Sequence, residues 1–275
     1  MMLLFDIKEL FIMMKKIIKD YFKRVYNGVS KWELIYWWIL RLLMIYGIVE
    51  SLVFGDEYLG SNQPLQMFAN LCGMFGYEVF QMLPRNNRLR LFSHKFQHIT
   101  ALGFFLGSFG GAYLNFYYTL PGYDKVLHAL GTAEAVYIGY EYIAATQLKF
   151  KKTCPHQIAN LTALGFGFIL SSAWELFEFI FDQFFGGDAQ HWSYENALAV
   201  AGGDPEKIFN LFPVSDPMRF SLMDTMGDIV LNFIGAFIMY WVLCIIPYRH
   251  KGKNNVNAMI VKYNKENNIE EYSVN

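Results

Sequence analysis

Three stretches of the chain, Phe96–Tyr123, Gln157–Trp174 and Ile229–Tyr248, contain no Asp, Glu, Lys or Arg. Runs of this kind match the roughly 20 residues that an α-helix needs to cross the hydrocarbon layer of a membrane. Composition agrees: 54% of the 275 residues are hydrophobic and 17% are charged, where a typical soluble protein carries about 25% charge. A soluble globular domain, a disordered chain and a disulfide mini-protein are thereby excluded. The formal net charge of -1 offers no basic excess for nucleic acid. Cys72 and Cys244 fall in apolar segments and Cys154 in a Lys-rich connection, the pattern of reduced thiols. Asp6, Lys8 and Glu9 interrupt the first apolar stretch, which also lacks a small-residue cleavage site, so no signal peptide is expected.

Hydropathy predicts an all-α, polytopic integral membrane bundle of about six transmembrane helices, at roughly 32–54, 63–83, 96–119, 125–148, 157–185 and 221–247. Residues 1–31 form the expected amphipathic interfacial helix, with Leu10, Phe11, Met14, Ile18 and Phe22 on one face and Lys8, Lys15, Lys16, Lys19 and Lys23 mostly on the other. The transmembrane domain then covers 32–248, including a long connection over 186–220, and residues 249–275 read as a polar tail. Connections rich in Lys and Arg alternate with connections that are not. Arg85, Arg88, Arg90 and Lys95, then Lys149, Lys151 and Lys152, then Arg249, Lys251 and Lys253 fall on the side of the Lys-rich N-terminus. By the positive-inside rule the chain is a multi-pass protein of the cell membrane with both termini cytoplasmic, and membrane lipids are its first partners. Gly103, Gly107 and Gly111, one small residue every four positions, predict close approach of another helix. Tyr113, Tyr117, Tyr118 and Tyr123 fit an interfacial belt.

A charge at the centre of a bilayer costs about 2.5–3.5 kcal/mol on insertion scales, so each one inside a span asks for a reason. On the expected topology three helices carry polar residues at similar outer depth. The fourth span brings Asp124, Lys125 and His128; the fifth brings Glu175, Glu178 and Asp182; the sixth brings Asp224, Asp228 and Asn232. Spacings of three and four place each set on one helix face. Glu50, near the outer end of the first span, is a further candidate. Asp124, Asp182 and Asp224 sit near helix ends, where a carboxylate also finds the headgroup region, whereas Glu175 and Asp228 lie deeper.

Four readings compete for this cluster. In one, Lys125, His128 and Asn232 pair with the acids only to fix helix register. In a second, His128, Glu178 and Asp224, together with Glu175 and Asp228, hold a divalent metal ion that acts on a lipid or lipid-linked headgroup, Asp124 and Asn232 supporting. In a third, Asp228 and Glu175 act as a metal-free acid and base pair. In the fourth, Glu78, Glu134 and Glu141 continue a path for ions or protons toward the cytoplasm. His94 and His98 form an HxxxH pair beside a basic connection, with no acidic partner expected nearby, and read as interfacial or helix-start residues rather than ligands. His191, with Trp192 and Tyr194, would belong to a lid over the outer site.

The blocks YDKVLHALG (Tyr123–Gly131), WELFEF (Trp174–Phe179) and MDTMGDIVLNFIGA (Met223–Ala236) resemble, in order and spacing, those of the YjdF-like bacterial inner-membrane proteins, a family of unknown function. The likeness extends more distantly to the VanZ-like proteins associated with glycopeptide resistance. It covers roughly residues 36–247 and implies a multi-helical membrane protein with acidic motifs in its last spans. The connection over 186–220 is longer than the family pattern and differs in character, so a shared substrate does not follow.

Overall fold

The computed structural model of the chain describes residues 7–26, 29–54, 63–84, 87–150, 154–185, 189–190, 194–195, 198, 202–207 and 219–249. Among these, the regular elements are all helical. They are α1 (Ile7–Tyr26), α2 (Lys31–Phe54), α3 (Gln63–Gly73), α4 (Gly76–Met82), a short 3₁₀ turn (Arg88–Leu91), α5 (Lys95–Phe105) running into a π-helical segment (Leu106–Tyr113), α6 (Phe116–Thr119), α7 (Tyr123–Phe150), α8 (His156–Phe185) and α9 (Phe220–Arg249). Residues 250–275 of the expected tail, and His191 and Trp192 of the expected lid, lie outside the described residues.

Three helices are long and apolar enough to cross a membrane: Lys31–Phe54, His156–Phe184 and Ser221–Ile245. That is fewer than the six that hydropathy predicts, and the reasons are local. The span expected at 63–83 is broken into α3 of 11 residues and α4 of 7, roughly 16 Å and 10 Å of helix against a hydrocarbon core of about 30 Å. The span expected at 96–119 leaves α-geometry at Leu106 and ends at Asn115, whose φ of 58° is left-handed. α7 has 28 residues, but Asp124, Lys125, Glu134, Glu141 and Lys149 lower its hydropathy.

A broken helix inside a membrane must satisfy the backbone groups it frees, and neighbouring side chains supply what the missing turn would have given. Gln97 on α5 spans the α3–α4 break. Its Nε2 donates to the Met74 carbonyl and its Oε1 accepts from the Tyr77 N–H at 2.9 Å. Arg41 of α2 reaches the same place, its Nη2 donating to the Met74 carbonyl at 2.6 Å and to Glu78 Oε1 at 2.6 Å. Arg41, Glu78 and Gln97 are all buried. The Arg41 guanidinium also lies over the Phe75 ring, 3.9 Å from its centroid, which offers a cation–π contact in place of water.

α7, α8 and α9 pack on one another as a unit, with Val136, Tyr140, Ala144, Ala163, Ala236 and Leu243 at its centre. α2, α3 and α5 form a second group around Met44, Met67 and Met74, and α5 joins it to α7. Both membrane-length helices of the first unit are inside out. On α8 the buried positions from Trp174 onward are Glu175, Glu178 and Asp182, while Leu176, Phe177, Phe179 and Ile180 are exposed. On α9 Asp224, Asp228 and Asn232 are buried, and Met223, Met226, Val230, Phe233 and Ile234 are exposed. In water this pattern would place the most favourable groups in the wrong medium; in lipid it is the expected one.

The glycine stripe makes the helix contact expected of it only at its start. Gly103 faces Glu134 of α7, but Gly107 and Gly111 face Tyr117, and Gly110 faces Tyr123. The wider π-helical turn shifts the register of the stripe partway along, and these two tyrosines cover the later glycines. The close approach occurs at Gly235, where a Cβ would collide with the Ala129 carbonyl of α7. Backbone cannot yield as a side chain does, so Gly235→Val is expected to lower stability in detergent by about 1–3 kcal/mol or more. Gly165→Ala, with open space around its Cβ position, should be neutral or slightly stabilising. Thermal unfolding followed by circular dichroism separates the two.

The buried pair gives a second expectation. Arg41→Leu should destabilise by about 3–5 kcal/mol because Glu78 is left buried and uncompensated. Arg41→Leu combined with Glu78→Leu should cost less than the sum of the single substitutions, as a double-mutant cycle in detergent would show.

Candidate functional site

The polar faces of α7, α8 and α9 meet where Ala129 and Gly235 bring two backbones together. His128 is the residue next to that contact on α7 and Lys125 lies about one turn from it, and the acids of α8 and α9 close around them. Lys125 Nζ is 2.5 Å from Asp224 Oδ1, 2.7 Å from Asp228 Oδ1 and 3.2 Å from Asp124 Oδ2. Its stem passes over Gly227, where the absence of a Cβ leaves room for it. His128 is flanked on both ring nitrogens. Nδ1 lies 3.3 Å from Glu175 Oε1, and Nε2 lies 3.6 Å from both Asp228 Oδ1 and Asp124 Oδ1.

A second ring of donors orients the acids. Asn232 Nδ2 donates to Glu175 Oε1 at 3.2 Å, and Thr132 in turn donates to Asn232 Oδ1 at 2.6 Å. Trp174 Nε1 donates to Glu178 Oε1 at 2.7 Å. Glu175 Oε2 is buried and has no hydrogen-bond partner among the described residues. Glu175 also lines a cavity of about 480 Å³ between α8 and α9, walled by Phe168, Ile229 and Phe233 with Ser171 and Ser172.

Five carboxylates, Asp124, Glu175, Glu178, Asp224 and Asp228, thus face one lysine and one imidazole. At full ionisation the balance would need further positive charge, as protons or a bound cation. Two groupings are compact enough for an ion: His128 with Glu175 and Glu178, and His128 with Asp124 and Asp228, each offering one donor atom per residue within 4.8 Å of the others. Ligands of one ion at about 2.0–2.6 Å stand no more than about 5.2 Å apart. The geometry separates the expected ligand set into two sides of the imidazole, and Asp224 belongs with Lys125.

The remaining candidates lie elsewhere. Asp182 accepts the Ala189 and Gln190 N–H groups at 2.7 and 2.8 Å, and Gln190 Nε2 donates to Thr225 Oγ1 at 3.1 Å, so this acid ties the start of the long connection toward α9. Glu50 lies against Tyr113, away from the cluster. Glu141 accepts from the Ser93 N–H and hydroxyl at 3.0 and 2.8 Å and from Tyr137 at 2.8 Å. Glu78 pairs with Arg41. Two of the three acids of the expected ion path are therefore held in place by structural bonds.

His94 and His98 do have an acidic neighbour, contrary to the expectation from local sequence. Glu33 Oε1 is 3.3 Å from His94 Nε2 and 3.1 Å from His98 Nε2. Glu33 also closes a capping box at the start of α2, accepting the Ser30 N–H at 2.6 Å while its own N–H reaches Ser30 Oγ. Trp37 Nε1 donates to His98 Nδ1 at 2.7 Å. In a neutral His98 ring this bond puts the proton on Nε2, facing Glu33. The trio joins helix starts, and its donor atoms lie within 4.8 Å of one another.

A profile described as "Predicted membrane protein (DUF2238)" matches residues 35–249. No curated protein and no solved structure matches the chain. The three sequence blocks singled out above converge at the cluster: the first supplies Asp124, Lys125 and His128, the second Trp174, Glu175 and Glu178, the third Asp224, Gly227, Asp228, Asn232 and Gly235.

Lys125→Met is expected to destabilise the fold in detergent by about 3–5 kcal/mol, since Asp224 and Asp228 would face each other without their shared cation. Asp124, partly exposed, is the weaker partner, so Asp124→Asn should cost clearly less. Melting temperatures of the two variants, measured in one detergent at neutral pH, check the order.

Proposed function

The chain belongs to the DUF2238 family of predicted membrane proteins, and on that premise we propose that its α7–α8–α9 cluster is an outward-facing cation site that acts on a lipid or lipid-linked headgroup. The α3–α4 pair, the α5 and π-helical segment, and α7 supply the crossings that complete six, with both termini cytoplasmic and α1 lying along the membrane surface. Exposed Phe11, Met14, Ile18 and Phe22 on α1 support that placement.

The observation that carries the reading is Glu175 Oε2, buried and unpartnered, beside the doubly flanked His128. A carboxylate oxygen left in that state is costly unless a cation or a proton meets it. Glu178 and His128 complete an oxygen and imidazole donor set suited to divalent first-row metals. The bonds from Asn232 and Trp174 to Glu175 and Glu178 resemble the outer-shell support that metal-ligating groups receive. A bound ion would polarise a headgroup oxygen or lower the pKa of a water, and Asp228 and Asp124 on the far side of His128 would take up and return a proton. The adjoining cavity between α8 and α9 offers an apolar wall beside the ionic centre, as a substrate with a hydrocarbon chain requires.

Protein purified in detergent without chelators and replenished with divalent ions should hold about one metal per chain by elemental analysis. Glu175→Gln, folded by circular dichroism, should lose it. A wild-type protein free of metal after replenishment, or a Glu175→Gln variant that keeps it, would contradict the proposal.

A further inference from the structure

A second cavity, of about 450 Å³, lies between α7 and α8 at the end of α7 that carries Lys149. Its volume falls within the range of pockets that hold small ligands. Tyr142, Ile143 and Phe166 give it an apolar wall. Gln147 in its wall carries a side-chain donor without a partner among the described residues. Gln147 Oε1 accepts the Cys154 N–H at 2.9 Å, and the buried Nε2 has no hydrogen-bond partner among the described residues. Gln147 is 6% exposed, so bulk water does not relieve this donor.

Cations stand at the rim. Arg88 Nη1 lies 3.5 Å from Thr146 Oγ1, and its guanidinium is 5.0 Å from the Tyr142 ring centroid; both residues line the cavity. Lys149 lies beside Phe150, which also lines it. Along α7 the order is therefore cation at Lys149, donor at Gln147, then apolar wall through Ile143 and Tyr142 to Gly139, over about 15 Å of helix. A membrane lipid presents the same order along its length: charged headgroup, ester carbonyl, hydrocarbon chain.

We propose that this cavity is a binding site for an anionic phospholipid of the leaflet facing the basic connections. The headgroup phosphate pairs with Arg88 and Lys149, an ester carbonyl accepts from Gln147 Nε2, and one acyl chain fills the space against Tyr142, Ile143 and Phe166. Basic residues at a cleft between transmembrane helices are a known way to select anionic headgroups. A neutral lipid would leave the rim cations unused, and free phosphate would leave the apolar wall empty. The site is independent of the cation centre at the other end of α7.

The test uses the full chain in detergent, delipidated and then titrated with phosphatidylglycerol, phosphatidylethanolamine or inorganic phosphate, with bound lipid counted by native mass spectrometry. Wild type should retain phosphatidylglycerol with a preference of roughly tenfold over phosphatidylethanolamine. Arg88→Gln combined with Lys149→Gln, both at the rim, should fold normally and lose that preference. Thr162→Trp, which fills the cavity from α8, should lower retention of both lipids. Equal retention of the two lipids by wild type, unchanged retention in folded Thr162→Trp, or full competition by inorganic phosphate would each overturn the proposal.

Discussion

Lys125 and His128 are the points on which the arrangement of the last three long helices turns. Acids on α8 and α9 face inward, away from lipid, and an inward carboxylate in a membrane needs a partner within hydrogen-bond reach. Two residues of α7, three apart, meet that need for both neighbours at once. The contact is possible because Gly235 lets α9 rest on the α7 backbone and Gly227 makes room for the lysine stem. Polar pairing sets the register, and the small residues set the distance.

The other half of the chain solves a related problem differently. Its second expected span is interrupted, and the carbonyl and N–H groups freed at Met74 and Tyr77 are met by side chains from α2 and α5. Arg41, Glu78 and Gln97 thus hold a non-helical point at depth, as backbone buried in protein allows. The consequence is a rigid cluster next to α7, in which Glu141 anchors Ser93 at the start of α5. A polar path along α7 from the acidic cluster to the basic end would have to displace these bonds, which counts against the transport reading.

Much of the site was legible because helical periodicity is short-range. Glu175, Glu178, Asp224 and Asp228 could be assigned to one face of their helices from spacings of three and four. What escaped depends on partners distant in sequence. His98 meets Glu33 across 65 positions, so no local pattern shows it. Arg41 stands alone amid the apolar stretch between Glu33 and Glu50 of α2, and averaging over a span hides it, although a lone charge within such a stretch asks for an acid. Gln97 has meaning only once the break at Met74 is known. The stripe of Gly103, Gly107 and Gly111 held at Gly103, which faces α7, and failed beyond it because its four-residue period assumes α-geometry, and the chain changes to a π-helix partway along.

In the proposed site, α7 and α8 jointly hold a cation through one imidazole and nearby carboxylates. Electron spin echo spectroscopy of the detergent-purified protein loaded with Mn²⁺ tests it most directly, because coupling to a nearby ¹⁴N nucleus reports an imidazole ligand. Nitrogen coupling from a single histidine is expected, and it should disappear in His128→Gln while the variant remains folded. Mn²⁺ bound with no nitrogen coupling in wild type, or coupling that persists in His128→Gln, would contradict it.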